Sequence, residues 1–148
     1  MVIDRFVGPY RWLSNFWPCV VILDGSEYRS VEHAYQAAKT LDPREREEFR
    51  KPDTTSAMAK AMGKHVTQRA DWHEVRIPVM TDLVWQKFST NQSLADLLIE
   101  TGQADIVEGN WWNDVFWGVC RGVGHNHLGK ILMAVRDRLN QQGEDHSS

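Results

Sequence analysis

Ser30-Val31-Glu32-His33-Ala34-Tyr35-Gln36-Ala37-Ala38-Lys39 reads as a helix with two distinct faces. Ser30 suits the N-cap, because its hydroxyl can accept a hydrogen bond from a backbone N–H of the first turn, which has no intrahelical partner. Val31, Ala34 and Ala38 share one side and suit packing. Glu32, Tyr35, Gln36 and Lys39 fall at i, i+3, i+4 and i+7 and share a neighbouring face. One helix thus carries a carboxylate, a phenol, an amide and an amine in a row. The row is either a solvated stripe or a reactive surface. Two features favour the second reading. Tyr and Gln are less typical of a bare surface than Glu and Lys, and the helix is preceded by Leu13-Ser14-Asn15-Phe16. That polar pair between large apolar residues can turn the backbone and offer hydrogen bonds at a buried site.

Outward from this helix the elements alternate little. Cys19-Val20-Val21-Ile22-Leu23 is apolar and β-branched, Asp24-Gly25 is a turn signal, and Tyr28 lies on a short return segment, so a hairpin is expected. Downstream, helices dominate. Ser56 starts a short one that Gly63 ends. Ile77 to Phe88 places Met80, Leu83, Val84 and Phe88 on one face, with Pro78 in the first turn. Leu94, Leu97 and Leu98 mark another, closed by Thr101-Gly102. Asp105 to Glu108 is a short strand candidate. Asn110 to Asn126 is a long Gly- and Trp-rich loop, and long loops in compact domains are usually functional or disordered. The last helix, Leu128 to Leu139, has a core stripe at Leu128, Ile131, Leu132, Val135 and Leu139. The class is α+β: a mainly helical single domain with a small β-sheet or hairpin over residues 1–140, then a disordered polar tail over 141–148.

Composition narrows the function. The 148 residues suit one domain. A net charge of −3 lacks the basic excess of proteins that coat nucleic acid, although recognition of a single nucleotide stays open. No leader peptide and no apolar run of roughly 18 residues is visible, so a cytoplasmic protein without a membrane partner is expected. Cys19 and Cys120 read as free thiols of a reducing compartment, with a disulfide as the alternative. Seven tryptophans exceed what a core of this size takes, which makes several of them candidates to stack on a flat ring.

Further along, Asn113-Asp114-Val115-Phe116-Trp117-Gly118 sets a carboxylate three residues from an indole, and Asp114 is either a turn former or a functional acid. Gly124-His125-Asn126-His127-Leu128-Gly129-Lys130 leads into the last helix, whose free N–H groups favour an anion, while Asn126 as an N-cap is the plain alternative. His125 and His127 lack a third convergent ligand, so no metal is expected. Arg69, in Arg69-Ala70-Asp71-Trp72, offers a fork for phosphate or forms a surface ion pair.

The order of these segments, with Lys87-Phe88, Thr101-Gly102, Val107-Glu108 and Gly124 through Met133 with Arg136, closely resembles the NADAR/YbiA-like N-glycosidase family from about Phe6 to Arg136. The resemblance implies a mainly helical α+β hydrolase that cuts N-glycosidic bonds without metal or organic cofactor. It implies two substrate types: ribosylamino-pyrimidine phosphates early in riboflavin synthesis, and ADP-ribose attached to a nucleobase, including guanine in DNA. The partner is then a small ribosyl-phosphate or ADP-ribosyl molecule, or an ADP-ribosylated nucleic acid. Matching positions carry functional roles to Glu32, Lys39, Trp72, Asp114 and Trp117, and to Asn15 and Asn126. The loop Gly118-Val119-Cys120-Arg121-Gly122-Val123-Gly124 and Lys130 depart from the riboflavin-type pattern, which bears on the substrate more than on the reaction.

On that reading Glu32 faces the ribose as base or electrostatic stabiliser, because breaking a C1′–N bond builds positive charge on the sugar. Asp114 binds ribose hydroxyls or helps the leaving base accept a proton. Trp72 and Trp117 stack on the base. Arg69, Lys64 and the start of the last helix hold phosphate, and Tyr35 and Gln36 line the substrate. Lys39 either pairs with phosphate or Glu32, or attacks the ring-opened sugar as a Schiff-base nucleophile. The competing reading is a non-catalytic ADP-ribose or nucleotide-binding module, which would need the Trp and Arg residues but not Glu32 and Asp114.

Overall fold

The structure is a computed structural model that describes residues 1–146. Its elements run β1 (Val2–Ile3), a 3-10 helix (Gly8–Leu13), β2 (Pro18–Leu23), β3 (Ser26–Ser30), α1 (Val31–Ala38), α2 (Pro43–Glu48), α3 (Ser56–Met62), α4 (Trp72–Ser89), α5 (Gln92–Glu100), β4 (Asp105–Ile106), β5 (Gly109–Asn110), β6 (Val119–Cys120) and α6 (His127–His146). The class is α+β and mainly helical, as the sequence indicates. The elements group into two compact units, Asn15–Lys87 and Met1–Ser14 with the chain from Phe88 onward.

In the unit Asn15–Lys87, β2 and β3 form the expected antiparallel hairpin, with Val21 opposite Tyr28 and Leu23 opposite Ser26. Asp24 and Gly25 both have positive φ (48° and 84°), as a two-residue turn matched to strand twist requires. The Gln86 carboxamide braces the outer strand. It accepts from Ile22 N–H at 2.7 Å and donates to Ile22 C=O at 2.8 Å, satisfying groups that an open edge would leave unpaired.

α1 packs against β2, β3, α2 and α3, and all eight of its residues are buried. Ala34, Ala37 and Ala38 let neighbouring backbones approach closely. Ser30 caps the helix as expected, accepting from His33 N–H at 3.1 Å. The His33 ring is wired at both nitrogens, Nδ1 to Ser30 Oγ and Nε2 to Thr54 C=O, each at 2.6 Å. A carbonyl can only accept, so Nε2 carries a proton; burial disfavours the charged ring, which leaves Nδ1 to accept from the Ser30 hydroxyl. That arrangement belongs to the neutral ring.

One helix was not expected, one starts earlier than expected, and a third ends as expected but without a left-handed cap. α2, Pro-Arg-Glu-Arg-Glu-Glu, has no buried residue and so no apolar stripe to read. Its signal was the Asp42 N-cap followed by Pro43, with the Asp42 side chain accepting from Arg44 N–H at 2.8 Å. α4 begins at Trp72, which leaves Pro78 inside the helix instead of in its first turn. α3 does end at Gly63, but that residue is right-handed (φ −60°), so it is not a left-handed glycine cap.

In the other unit, β1 pairs parallel with β4 and β5 with β6. α5 and α6 pack together, and the expected stripe Leu128, Ile131, Leu132, Val135 and Leu139 is buried. Trp12 meets Phe88 edge-on at 6.2 Å. Buried Arg136 donates from Nη1 to Thr101 Oγ1 and Ala104 C=O, both at 2.9 Å, tying α6 to the end of α5. α6 runs on to His146, through residues 141–146. That segment is polar but free of proline, and Gln and Glu are good helix formers. The part of the tail at 147–148 lies outside the described residues.

Burial holds the His33 pKa below its ordinary 6.5 despite the Thr54 hydrogen bond, which opposes the shift. Below pH 6.5 the unfolded chain therefore takes up a proton that the native ring resists, and stability falls as pH drops from 6.5 through the native value. In urea titrations, His33→Gln should flatten this part of the pH–stability curve relative to the parent. An unchanged slope would show that His33 does not set it.

Candidate active site

In the unit Asn15–Lys87 the first turn of α1 places Glu32, 7% exposed, with its backbone N–H donating to Asn15 C=O at 3.1 Å. The Asn15 side chain donates to Met80 Sδ at 3.5 Å. In this unit Asn15 therefore helps to position the start of α1. One turn on, Gln36 Nε2 donates to Glu32 Oε1 at 2.8 Å.

Lys39 follows at the C-cap of α1. Its amine lies 5.7 Å from the centre of the Tyr35 ring, and Tyr35 packs on Trp72 with centroids 5.2 Å apart. Burial lowers the Lys39 pKa. The Glu32 carboxylate opposes that shift and the Lys64 ammonium adds to it. The helix face read from spacing alone is therefore one electrostatic cluster of a buried acid, a destabilised ammonium and a second cation. It is not a solvated stripe.

Two expected contacts look different in place. Trp72 is 4% exposed and seated on Tyr35, so little of its face is left for stacking. The Arg69 guanidinium grips Asp71, with Nε to Oδ1 at 2.6 Å and Nη2 to Oδ2 at 3.0 Å. This is the ion-pair alternative. The Arg69 backbone N–H donates to Lys39 C=O at 2.7 Å and holds the end of α1. Lys64 is exposed.

Lys87 on α4 is fully buried, and burial pushes its amine down to about 7, partly opposed by Cys19. Cys19 and Cys120 are both free thiols.

In the other unit, Asp114 organises the Trp-rich loop. Its Oδ1 accepts from Phe116 N–H at 3.1 Å and Trp117 N–H at 2.9 Å, and Asn110 bonds its backbone on both sides. Trp117 is half-buried and stands edge-on to Phe116 at 4.8 Å. Gly118 passes so close to Glu108 and Asn110 that a Cβ would overlap them. Asn126, at φ 54°, does not cap α6 with its side chain. It accepts from Glu108 N–H and donates to Ile106 C=O, both at 2.9 Å. The rings of His125 and His127 stack 5.4 Å apart. The bracing roles of Glu108 and Asn110 went unread in the sequence, where Glu108 stood only in a strand candidate and the family pattern and Asn110 only at the start of the long loop.

Fold and relatives first define a class, the α+β hydrolases that act on N-glycosyl bonds. The chain is 37% identical over 135 residues to the N-glycosidase YbiA of Escherichia coli, across 88% of this chain and 82% of that protein. It is 35% identical to an N-glycosidase of Nostoc punctiforme, across 88% of this chain and 86% of that one. It is also 39% identical over 134 residues to a riboflavin biosynthesis protein of Vibrio vulnificus, matching 89% of this chain but only 36% of that longer protein. The NMR structure of E. coli YbiA superposes with a TM-score of 0.85 at 32% identity, covering 99% of this chain and 88% of that one. The NADAR domain matches residues 5–140, and the chain belongs to that family.

The Asp114 geometry separates acceptor from charge. Asp114→Asn keeps a side-chain oxygen for the two N–H groups and should leave stability near that of the parent. Asp114→Ala should lose about 1–3 kcal/mol in urea unfolding. Equal losses in both variants would mean that the charge, and not the acceptor, orders the loop.

Proposed function

We propose that this chain hydrolyses the C1′–N bond between a phosphorylated or ADP-linked ribose and a nucleobase-type nitrogen. A ribosylamino-pyrimidine 5′-phosphate is the favoured substrate and an ADP-ribosylated guanine the second. The observation that carries the reading is the pairing, on one buried helix, of the Glu32 carboxylate with a Lys39 amine whose proton is loosened by burial. Relatives named for N-glycosidase activity and for riboflavin biosynthesis support the substrate order.

In this mechanism Glu32, as the carboxylate, stabilises positive charge at C1′. The C1′–O4′ bond breaks with its electron pair going to O4′, which takes a proton from solvent, and neutral Lys39 adds to C1′ of the resulting iminium. The base leaves as its amine, and C1′ becomes bonded to the Lys39 nitrogen as a Schiff base. Glu32 accepts the proton lost by the attacking amine and returns it to the leaving nitrogen. Water then hydrolyses the Schiff base, releasing the sugar aldehyde and regenerating Lys39. Tyr35, packed on Trp72, shields the amine from water, and exposed Lys64 is the phosphate ligand. For Asp114, Trp117 and Asn126, substrate roles rest on their places in the family pattern.

The decisive experiment incubates the protein separately with the two substrates and follows release of ribose 5-phosphate or ADP-ribose. Glu32→Gln should lower turnover at least about 100-fold without loss of fold. Binding of either compound with no product from either would favour the non-catalytic module and end this proposal. Borohydride added during turnover should trap a sugar adduct on Lys39 that Lys39→Met lacks. No adduct at saturating substrate would remove the covalent route while leaving hydrolysis by Glu32-activated water. If neutral Lys39 attacks, the rate should rise with pH through the lowered lysine pKa, because only the deprotonated amine has a free electron pair.

A further inference from the structure

Gln36 is 5% exposed, and its two polar ends are treated unequally. Nε2 donates to Glu32 Oε1 at 2.8 Å, whereas Oε1 is buried without a hydrogen-bond partner. Turning the carboxamide over would set its oxygen against the carboxylate, acceptor against acceptor. The orientation that leaves Oε1 unsatisfied is therefore the one that supports Glu32, even though a lone buried acceptor is unfavourable.

A second observation concerns what holds the amide there. A Cβ on Gly63, at the end of α3, would overlap the Gln36 carboxamide. Gly63 has ordinary right-handed helical angles, so its backbone does not need glycine. What needs glycine at this position is space, and the Gln36 carboxamide fills that space.

We infer that Gln36 is a positioning residue: clamped between α1 and Gly63, its carboxamide fixes the Glu32 carboxylate and does not itself touch substrate. This rests on the proposed role of Glu32 and differs from reading Gln36 as a substrate ligand. It also makes Gly63 part of the same device, because any side chain there would dislodge the amide.

The test measures kcat and KM separately, on whichever of the two ribosyl substrates the parent protein turns over. Gln36→Met preserves length and removes the donor. It should lower kcat about 10- to 100-fold, the worth of one hydrogen bond to a charged group, with KM held within about 3-fold. Gly63→Ala should lower kcat in the same direction by displacing the amide. The double variant should have a kcat no lower than that of Gln36→Met alone, because the hydrogen bond to Glu32 that each change removes can be lost only once.

Unchanged kcat in Gln36→Met would overturn the inference, and so would a raised KM at constant kcat, which is the signature of direct substrate contact. Additive losses in the double variant would do the same. Should Gln36→Met not fold, Gly63→Ala carries the test alone, and normal kcat there counts against the inference. Glu32→Gln is measured beside them. If it retains turnover, the Glu32 mechanism fails; if it loses turnover while Gln36→Met does not, only the positioning role fails.

Discussion

α1 is buried on every side, yet Glu32, His33 and Gln36 occupy three of its eight positions. A buried polar group is costly unless it is hydrogen-bonded, so the surroundings of this helix are dictated by the partners those side chains require. Ser30, Thr54 and Ser56 serve the His33 side. Ser56 Oγ donates to Ser30 Oγ at 3.1 Å, which in turn engages the imidazole. On the Glu32 side the partner comes from the helix itself, through Gln36. The alanines of α1 are fully buried, and burial at the end of the same helix loosens the Lys39 proton. Packing and chemistry here are two consequences of one burial.

The unit built from β1, the Trp-rich loop, α5 and α6 solves a different problem, because its loop lacks long ladders to satisfy its backbone. Side chains substitute for them. Asp114 collects two N–H groups, Asn126 bridges Glu108 and Ile106, and Arg136 closes the end of α5. Left-handed Asn113, Arg121 and Asn126 lie along this stretch. Single left-handed residues of this kind persist only where the surroundings hold them. Exposed Trp111, at 80%, packs edge-on against Trp112, so the surplus of tryptophans noted in the composition is partly a surface feature.

Local chemistry was readable where a residue's role depends on near neighbours in the chain. The Ser30 cap, the Asp24-Gly25 turn and the α6 stripe follow from periodicity and stereochemistry over a few residues. α2 escaped because charged residues leave no periodic trace, and α4 starts at Trp72, a residue buried against Tyr35, one to two turns ahead of Pro78. The candidate site was half legible. Helical spacing puts Glu32, Tyr35, Gln36 and Lys39 on one face, but it does not reveal whether that face meets water or protein.

By itself, then, the sequence determined the helix, its register and the chemical types it displays, together with the family pattern that surrounds them. Only the tertiary structure decided that this face is buried, that Gln36 serves Glu32, that Trp72 lies under Tyr35, that Arg69 is occupied by Asp71, and that Gly63 is small to make room for an amide. The physical reason is range. Capping and periodicity act within a turn or two of helix, whereas desolvation and steric fit depend on residues that folding brings together from tens of positions away.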